Sequence, residues 1–336
     1  MTTGISPPPN TPAIWARLTH LGVIEVSGAD AAGFLHNQLT NDIEGLPEDL
    51  ARLAGYCSAK GRLLATFLLW RTGATFHLAV PLEMVAPLAK RLSMFVLRAK
   101  VAIRDASAES PLFGLTGSAS DLVSLLGEAA KTPPIAYQHV QTSQGSVIAL
   151  TAALGRPRWL LAPLLASVPS LLASLQAARG TWSEIDAAHW RWLDLRAGIP
   201  QIVPAIQDRF VPQMINFEAL GGVNFKKGCY PGQEVVARSQ YLGKLKRRMT
   251  LAHLDSENLP APGADVFHSA RPADPIGTVV NAERSPEGGV DVLIEIPLEA
   301  SSLGSLHLEG PEGPGLALLD LPYALPQNEV FVRPRL

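Results

Sequence analysis

The sequence predicts an α+β protein of two or three domains that ends in a small β-barrel. Three observations carry this expectation. Strand-like and helix-like runs are mixed through most of the chain without a regular βαβ beat, which argues against a doubly wound sheet. From about Thr250 the texture changes to short β-prone runs (266–268, 276–281, 290–296, 305–308) separated by Gly/Pro-rich turns such as Pro260-Ala261-Pro262-Gly263 and Glu287-Gly288-Gly289. At 336 residues, 47% hydrophobic and 17% charged, the chain is well buried and longer than one core usually organises.

The elements follow in order. Residues 22–27 read as a short strand, and Asp30 then caps a helix. Its apolar Ala31, Phe34, Leu35 and Leu39 recur at helical spacing, with Gln38 as the polar interruption. Strands at 53–57 and 63–70 are joined by the turn Ser58-Ala59-Lys60-Gly61. A strand at 75–80 precedes a helix opened by Pro81 and running to about Phe95, and 101–103 closes this unit. A second unit brings strands at 112–115, 147–150 and 159–162, with helices near 121–128, 171–179 and 183–197. The uncharged stretch 159–178 has about the length of a membrane span. Pro163, Pro169 and three serines interrupt it, so a strand followed by a capped helix is the expectation. These breaks give a lead-in over 1–12, domains over 13–110 and 111–249, and a barrel over 250–336.

Composition excludes several classes. A net charge of −2 creates no global field toward nucleic acid or an anionic membrane. Two cysteines, Cys57 and Cys229, fit a reducing compartment and cannot supply the four thiolates that usually hold an Fe–S cluster. The polar, proline-rich N-terminus lacks an apolar core or an Arg-rich amphipathic pattern, so it reads as a disordered lead-in and the cytoplasm is the expected location. The eight histidines show no paired metal-ligand spacing, and no intrinsic metal is expected. Walker A, Rossmann and Gly-x-Ser-x-Gly patterns are missing. A Cys–His hydrolase needs a base near the thiol, and the sequence leaves a distant histidine such as His189 open for that role.

The most informative stretch is Lys227-Gly228-Cys229-Tyr230-Pro231-Gly232-Gln233-Glu234, continuing to Arg238. Glycines permit tight backbone geometry around the thiol, and Pro231 pre-sets the first turn of a helix carrying Gln233, Glu234 and Arg238. Cys229 then lies at or just before a helix N-terminus beside Lys227, where dipole and cation both favour the thiolate. Taken alone, a cysteine in such a turn is more often an inert, small buried filler.

This octapeptide resembles the signature of the YgfZ family, folate-binding relatives of the glycine-cleavage T-protein. The resemblance extends upstream to Phe210-Val211-Pro212-Gln213 and to the run 220–226, and downstream to Arg238 and the basic exit 241–248. It also takes in Gln38-Leu39-Thr40-Asn41-Asp42 and Lys60-Gly61-Arg62 near the N-terminus, and Leu321-Pro322-Tyr323 near the C-terminus. It implies a T-protein-like three-domain ring, tetrahydrofolate or a derivative as ligand, and a role in assembling or maintaining 4Fe-4S proteins, including radical enzymes that modify tRNA. The implied partners are Fe–S proteins or their assembly machinery, with no direct contact to nucleic acid or membrane and a monomer as the expected state. Cys229 becomes the functional thiol, with Lys227, Tyr230, Gln233, Glu234 and Arg238 around it on a backbone shaped by Gly228, Pro231 and Gly232. A folate pocket is expected at Trp190, Leu21 and Arg196, Trp190 stacking on the pterin. Arg196 stands where T-proteins carry a glutamate, and a guanidinium cannot accept the hydrogen bonds of a pterin edge.

The T-protein places an acidic pair where this chain has Ala65 and Thr66, so aminomethyl transfer is not expected. A folate-dependent one-carbon transferase with another acceptor is the alternative, and a scaffold that only docks partners is a third. Lys244, Lys246, Arg247 and Arg248 read either as a solvated strand edge or as an anion rim for the folate tail.

Overall fold

Alternating burial along the chain resolves into seventeen strands and six α-helices among the described residues of the computed structural model, which are 12–127, 135–241, 245–271, 273–302 and 304–326. The expected lead-in, Pro12 apart, and Lys244 lie outside the described residues. In chain order the first elements are β1 (Ala13–Arg17), β2 (Leu21–Ser27), α1 (Ala31–Gln38), β3 (Arg52–Cys57), β4 (Leu63–Thr72), β5 (Thr75–Pro81), α2 (Leu82–Ser93) and β6 (Ala102–Asp105). Next come β7 (Phe113–Thr116), α3 (Ala119–Leu126), β8 (His139–Thr142), β9 (Gly145–Ala153), β10 (Arg156–Pro163), α4 (Val168–Ala177), β11 (Trp182–Glu184) and α5 (Ala187–Arg196). The last are α6 (Gln233–Tyr241), β12 (Arg247–Leu254), β13 (Asp265–His268), β14 (Gly277–Arg284), β15 (Val290–Pro297), β16 (Leu306–Leu308) and β17 (Gly315–Leu319). The chain divides into two compact units, the first comprising Met1–Phe34, Glu44–Arg52 and Phe67–Leu193, the second Leu35–Ile43, Leu53–Thr66 and Asp194–Leu336.

The first unit is built on a six-stranded sheet in the order β11-β1-β7-β10-β9-β8. Its core packs Trp15, Phe113, Leu115, Val147, Trp159 and Leu161 from the sheet against Leu122 of α3 and Leu171 of α4. Ser118 caps α3 in a reciprocal capping box with Asp121, a local arrangement that satisfies two otherwise orphaned helix donors. The stretch 159–178 divides between β10 and α4 as expected, and no described helix is long and apolar enough to cross a membrane. Two expectations are corrected. Residues 182–184 do not begin a helix: Trp182 is buried, and β11 pairs in parallel with β1 from Ala13 onward. Asp30 stands directly before α1 with its carbonyl accepting from the Phe34 N–H at 2.9 Å, but its Oδ2 accepts from the Lys100 N–H at 2.7 Å, outside the helix.

The second unit ends in a closed barrel in the order β12-β15-β14-β13-β16-β17. Its inside is lined by Val266, Val279, Val292, Ile294 and Leu306, the inward set of a period-two pattern. β12 pairs with β15 from Arg247 to Leu254 but with β17 only from Leu251 to Leu254, so Arg247 and Arg248 have a strand neighbour on one side. Upstream in this unit stand β3, the first residues of β4 and the 58–61 turn between them. Gly61 closes that turn at φ +70°, its N–H donating to Ser58 O at 2.9 Å.

Candidate functional site

Three segments far apart in sequence converge in the second unit. Thr40 Oγ1 donates to Gly222 O at 2.6 Å and accepts from the Gly55 N–H at 2.7 Å. Asn41 Nδ2 donates to Leu53 O and Gly221 O, each at 2.7 Å. These bonds are buried or nearly so, and a lost partner there costs about 1–3 kcal/mol. They fasten the end of α1 to β3 and to the chain that leads into the cysteine turn.

That turn is anchored by Lys227. Its ammonium donates to His36 O and to Leu39 O, the latter at 2.9 Å, and lies 4.8 Å from the centre of the Tyr230 ring. The cation expected to act on the thiol instead occupies the C-terminal end of α1, where unsatisfied carbonyls and the helix dipole favour positive charge. Tyr230, buried beneath it, has its phenol pushed upward by burial and then by Cys57. Gln233 opens α6, its side-chain amide facing Gly228 O at 3.4 Å and Lys227 O at 3.5 Å. Cys229 therefore sits on a turn four residues before the helix, not at its first turn. Glu234 and Arg238 lie exposed on α6, whose buried Val236 offers its carbonyl to Gln213 Nε2 at 2.8 Å.

The two thiols are opposites. Cys229 is exposed, whereas Cys57 is buried in β3, where burial and then Asp208 push its pKa up to about 12. Gly228 is open on all sides but one: a β-carbon there would meet only the His36 imidazole, 3.5 Å from Nε2. His36, whose Nδ1 lies 3.1 Å from Asp42 Oδ1, is a neighbour of the turn that the sequence reading did not single out. The only signal was its place in the expected helix, just before Gln38-Leu39-Thr40-Asn41-Asp42. Among the described residues no group of three or more His, Cys, Asp or Glu side chains is placed to hold a metal ion.

The residues expected to hold folate are differently employed. Trp190 is 1% exposed in the first unit, its ring so close to Gly114 that a β-carbon there would come within 2.5 Å, and Arg158 covers it at 5.2 Å. Its faces are taken, which corrects the stacking role. Leu21 is half-buried in β2, opposite Pro81 of β5. Arg196 is in the second unit and pairs with the buried Asp291 at 3.3 Å, which also holds His253 Nδ1 at 2.8 Å. The anion rim is corrected likewise. Arg248 is buried against Glu218 and donates to Gln213 O at 3.0 Å, and Arg247 grips Glu295, leaving Lys246 exposed. At Ala65 and Thr66 stand a buried methyl and a hydroxyl that accepts from the Ile202 N–H at 3.2 Å.

This architecture has a solved counterpart. The aminomethyltransferase T of the glycine cleavage system from Bartonella henselae superposes with a TM-score of 0.73 at 16% identity, over 93% of this chain and 86% of that one. The fold is thus that of the aminomethyltransferase T class, mixed helix and sheet with a closed six-stranded C-terminal barrel. No protein-family model matches the chain. Its sequence is 30% identical over 322 residues to the tRNA-modifying protein YgfZ of Serratia proteamaculans, covering 95% of this chain and 94% of that relative. The same protein from Edwardsiella ictaluri is 30% identical, and that of Yersinia pestis 29%, each over 95% of this chain. The chain belongs to the YgfZ family.

Proposed function

We propose that this chain is an accessory protein for assembling or maintaining 4Fe-4S proteins, tRNA-modifying radical enzymes among them, and that it acts through Cys229. The observation that carries the reading is the contrast between an exposed thiol on a braced turn and a second thiol sealed in a strand. A sulfur held at the surface on a fixed backbone is suited to meeting a partner's thiol or metal, whereas Cys57 is not. Lys227, Gly228, Pro231 and Gly232 set the turn, and Tyr230, Gln233, Glu234 and Arg238 form its surroundings. The partners are Fe–S proteins or their assembly machinery in the cytoplasm, met by a monomer without direct contact to nucleic acid. The relatives' name, tRNA-modifying protein, supports the link to tRNA-modifying clients.

Tetrahydrofolate or a derivative is the ligand that the fold suggests. The residues first expected to hold it do not fit, since the Trp190 ring is covered and Arg196 is committed to Asp291. No chemical step is assigned to it. With no carboxylate at Ala65 and Thr66, aminomethyl transfer is not part of the reading, and turnover of methylene-tetrahydrofolate by the purified chain would refute that.

The decisive test is complementation. In a strain lacking its endogenous factor, wild-type chain should restore activity of a 4Fe-4S tRNA-thiomethylating enzyme, and Cys229→Ala should not. Full rescue by the alanine form would remove Cys229 from the mechanism. Titration of tetrahydrofolate into the wild-type chain tests the ligand separately.

A further inference from the structure

The first unit carries an apolar tip that its core does not use. Helix α2 ends at Ser93, and Met94, Phe95 and Leu97 follow it at 61%, 45% and 89% exposure. Single exposed hydrophobes are ordinary, but three within four residues form a patch, and exposed patches mark contact sites. Leu97 is the most telling of them. Its φ of +46° is left-handed, a conformation in which an L side chain is strained and glycine or asparagine is at ease. A leucine held there in water gains nothing from burial, so the side chain works against the isolated fold on both counts.

The stretch is nonetheless fixed. Phe95 N–H donates to Leu92 O at 3.0 Å, Ala99 N–H to Val96 O at 2.8 Å and Val101 N–H to Ala99 O at 2.9 Å. Gly28 seats it against the corner between β2 and α1, since a β-carbon there would lie 2.1 Å from Lys100 O.

Cations flank the tip on both sides in the chain. Lys90, Arg91, Arg98 and Lys100 are all exposed. The first two also complement the C-terminal end of α2. Arg98 and Lys100 lie beyond the helix, and their side chains make no ion pair or hydrogen bond among the described residues. Asp30 brings one carboxylate to this stretch, its Oδ2 accepting from the Lys100 N–H at 2.7 Å, and the balance of charge stays positive. With a net charge of −2 on the whole chain, this is a local field.

We infer that the tip seats the protein on an anionic lipid surface, with Met94, Phe95 and Leu97 entering the headgroup layer and the four cations beside its phosphates. A second copy of the chain would set like charges face to face, which disfavours it as the occupant. A rigid protein partner would need a pocket cut to a projecting leucine, whereas a fluid headgroup layer admits any such side chain. Each cation near the surface strengthens the attachment roughly fivefold, added to the apolar insertion.

The test is co-sedimentation of the full-length chain with vesicles of phosphatidylglycerol and phosphatidylcholine in equal parts, against vesicles of phosphatidylcholine alone. Binding is expected on the anionic vesicles and should be at least about tenfold weaker on the neutral ones. On the anionic vesicles it should fall as added salt shrinks the Debye length from about 10 Å to about 3 Å. Arg98→Gln with Lys100→Gln should weaken it about 25-fold, and Arg98→Lys with Lys100→Arg should preserve it. Leu97→Asn should weaken it about tenfold with a urea midpoint no lower than wild type, because asparagine tolerates the left-handed φ. Absence of binding to the anionic vesicles would overturn the proposal, as would binding untouched by Leu97→Asn or by the paired glutamines. A lower urea midpoint for Leu97→Asn would return the leucine to the fold. A dimer that the same variant dissolves would give the tip to a second copy, and either result overturns the proposal equally. None of these outcomes depends on Cys229.

Discussion

Gly61 and Gly232 meet backbone to backbone. A β-carbon on Gly232 would lie 2.5 Å from Gly61 Cα and 2.4 Å from Ser58 O, and one on Gly61 would lie 2.8 Å from Val235 Cβ and 2.9 Å from Gly232 O. Both residues also have left-handed φ, +70° at Gly61 and +77° at Gly232. The hairpin turn between β3 and β4 is thereby the floor against which the cysteine turn closes, and neither can be drawn away without the other.

Alanine at either glycine is therefore expected to destabilise the second unit by roughly 2–4 kcal/mol, from overpacking added to left-handed strain. Urea unfolding of Gly61→Ala and Gly232→Ala checks this. Cys229 should also lose function in both variants although its own contacts are untouched, measured in the complementation assay.

The two thiols should separate by reagent. In native protein at pH 8 a thiol-specific disulfide reagent is expected to titrate Cys229 alone. Cys57, at about 12, is about 1 part in 10⁴ thiolate at that pH and shielded besides. Both should react in denaturant. Two equivalents released from folded protein would contradict the burial of Cys57.

Arg248→Met should cost about 3–5 kcal/mol, because it strands the Glu218 carboxylate in a buried site. Burial already raises the Glu218 pKa, with Arg248 opposing that rise. Without the arginine the folded-state pKa climbs further. The added instability is then present above that pKa and relieved as pH falls through it. Glu218→Gln in the same chain should recover most of the loss at neutral pH, measured by urea midpoints.

His20 gives the opposite acid response. Burial, with Arg191 adding to it, lowers its pKa from 6.5 to about 4. Between those values the unfolded chain binds the proton and the folded chain does not, so stability is intact above pH 6.5 and is lost as pH falls toward 4. His20→Leu should flatten that part of the profile. An unchanged slope between pH 6.5 and 4.5 would show that other histidines carry it.

Lys227→Met should loosen the end of α1 by about 1–2 kcal/mol, the scale of a cation on a helix C-terminus with two hydrogen bonds. Hydrogen exchange at the amides of residues 36–43 is the direct readout, and faster exchange confined to that stretch is expected.

Several parts of this arrangement were legible in one dimension. The barrel announced itself through short strands and Gly/Pro turns because period-two burial and turn chemistry are local properties. The cysteine octapeptide stood out for a related reason: glycines and a proline restrict backbone geometry wherever they occur. Strands β1 and β11 were missed because each is short and derives its stability from the other across some 170 residues of chain. The duties of Trp190, Arg196 and Arg248 were misjudged together, since an aromatic or a guanidinium in sequence carries no mark of whether its partner is a ligand or a buried neighbour. His36 escaped notice for the same reason.

Sequence by itself determined the α+β class, the closing barrel, the family and the identity of the thiol worth testing. All four depend on residue type, spacing and local backbone preference. Only the tertiary structure decided which charges are already spent: Lys227 on the end of α1, Arg247 and Arg248 on buried carboxylates, Arg196 on Asp291. A charge is satisfied by whatever lies within a few ångströms of it. That neighbour is chosen by long-range packing, not by residues adjacent in the chain.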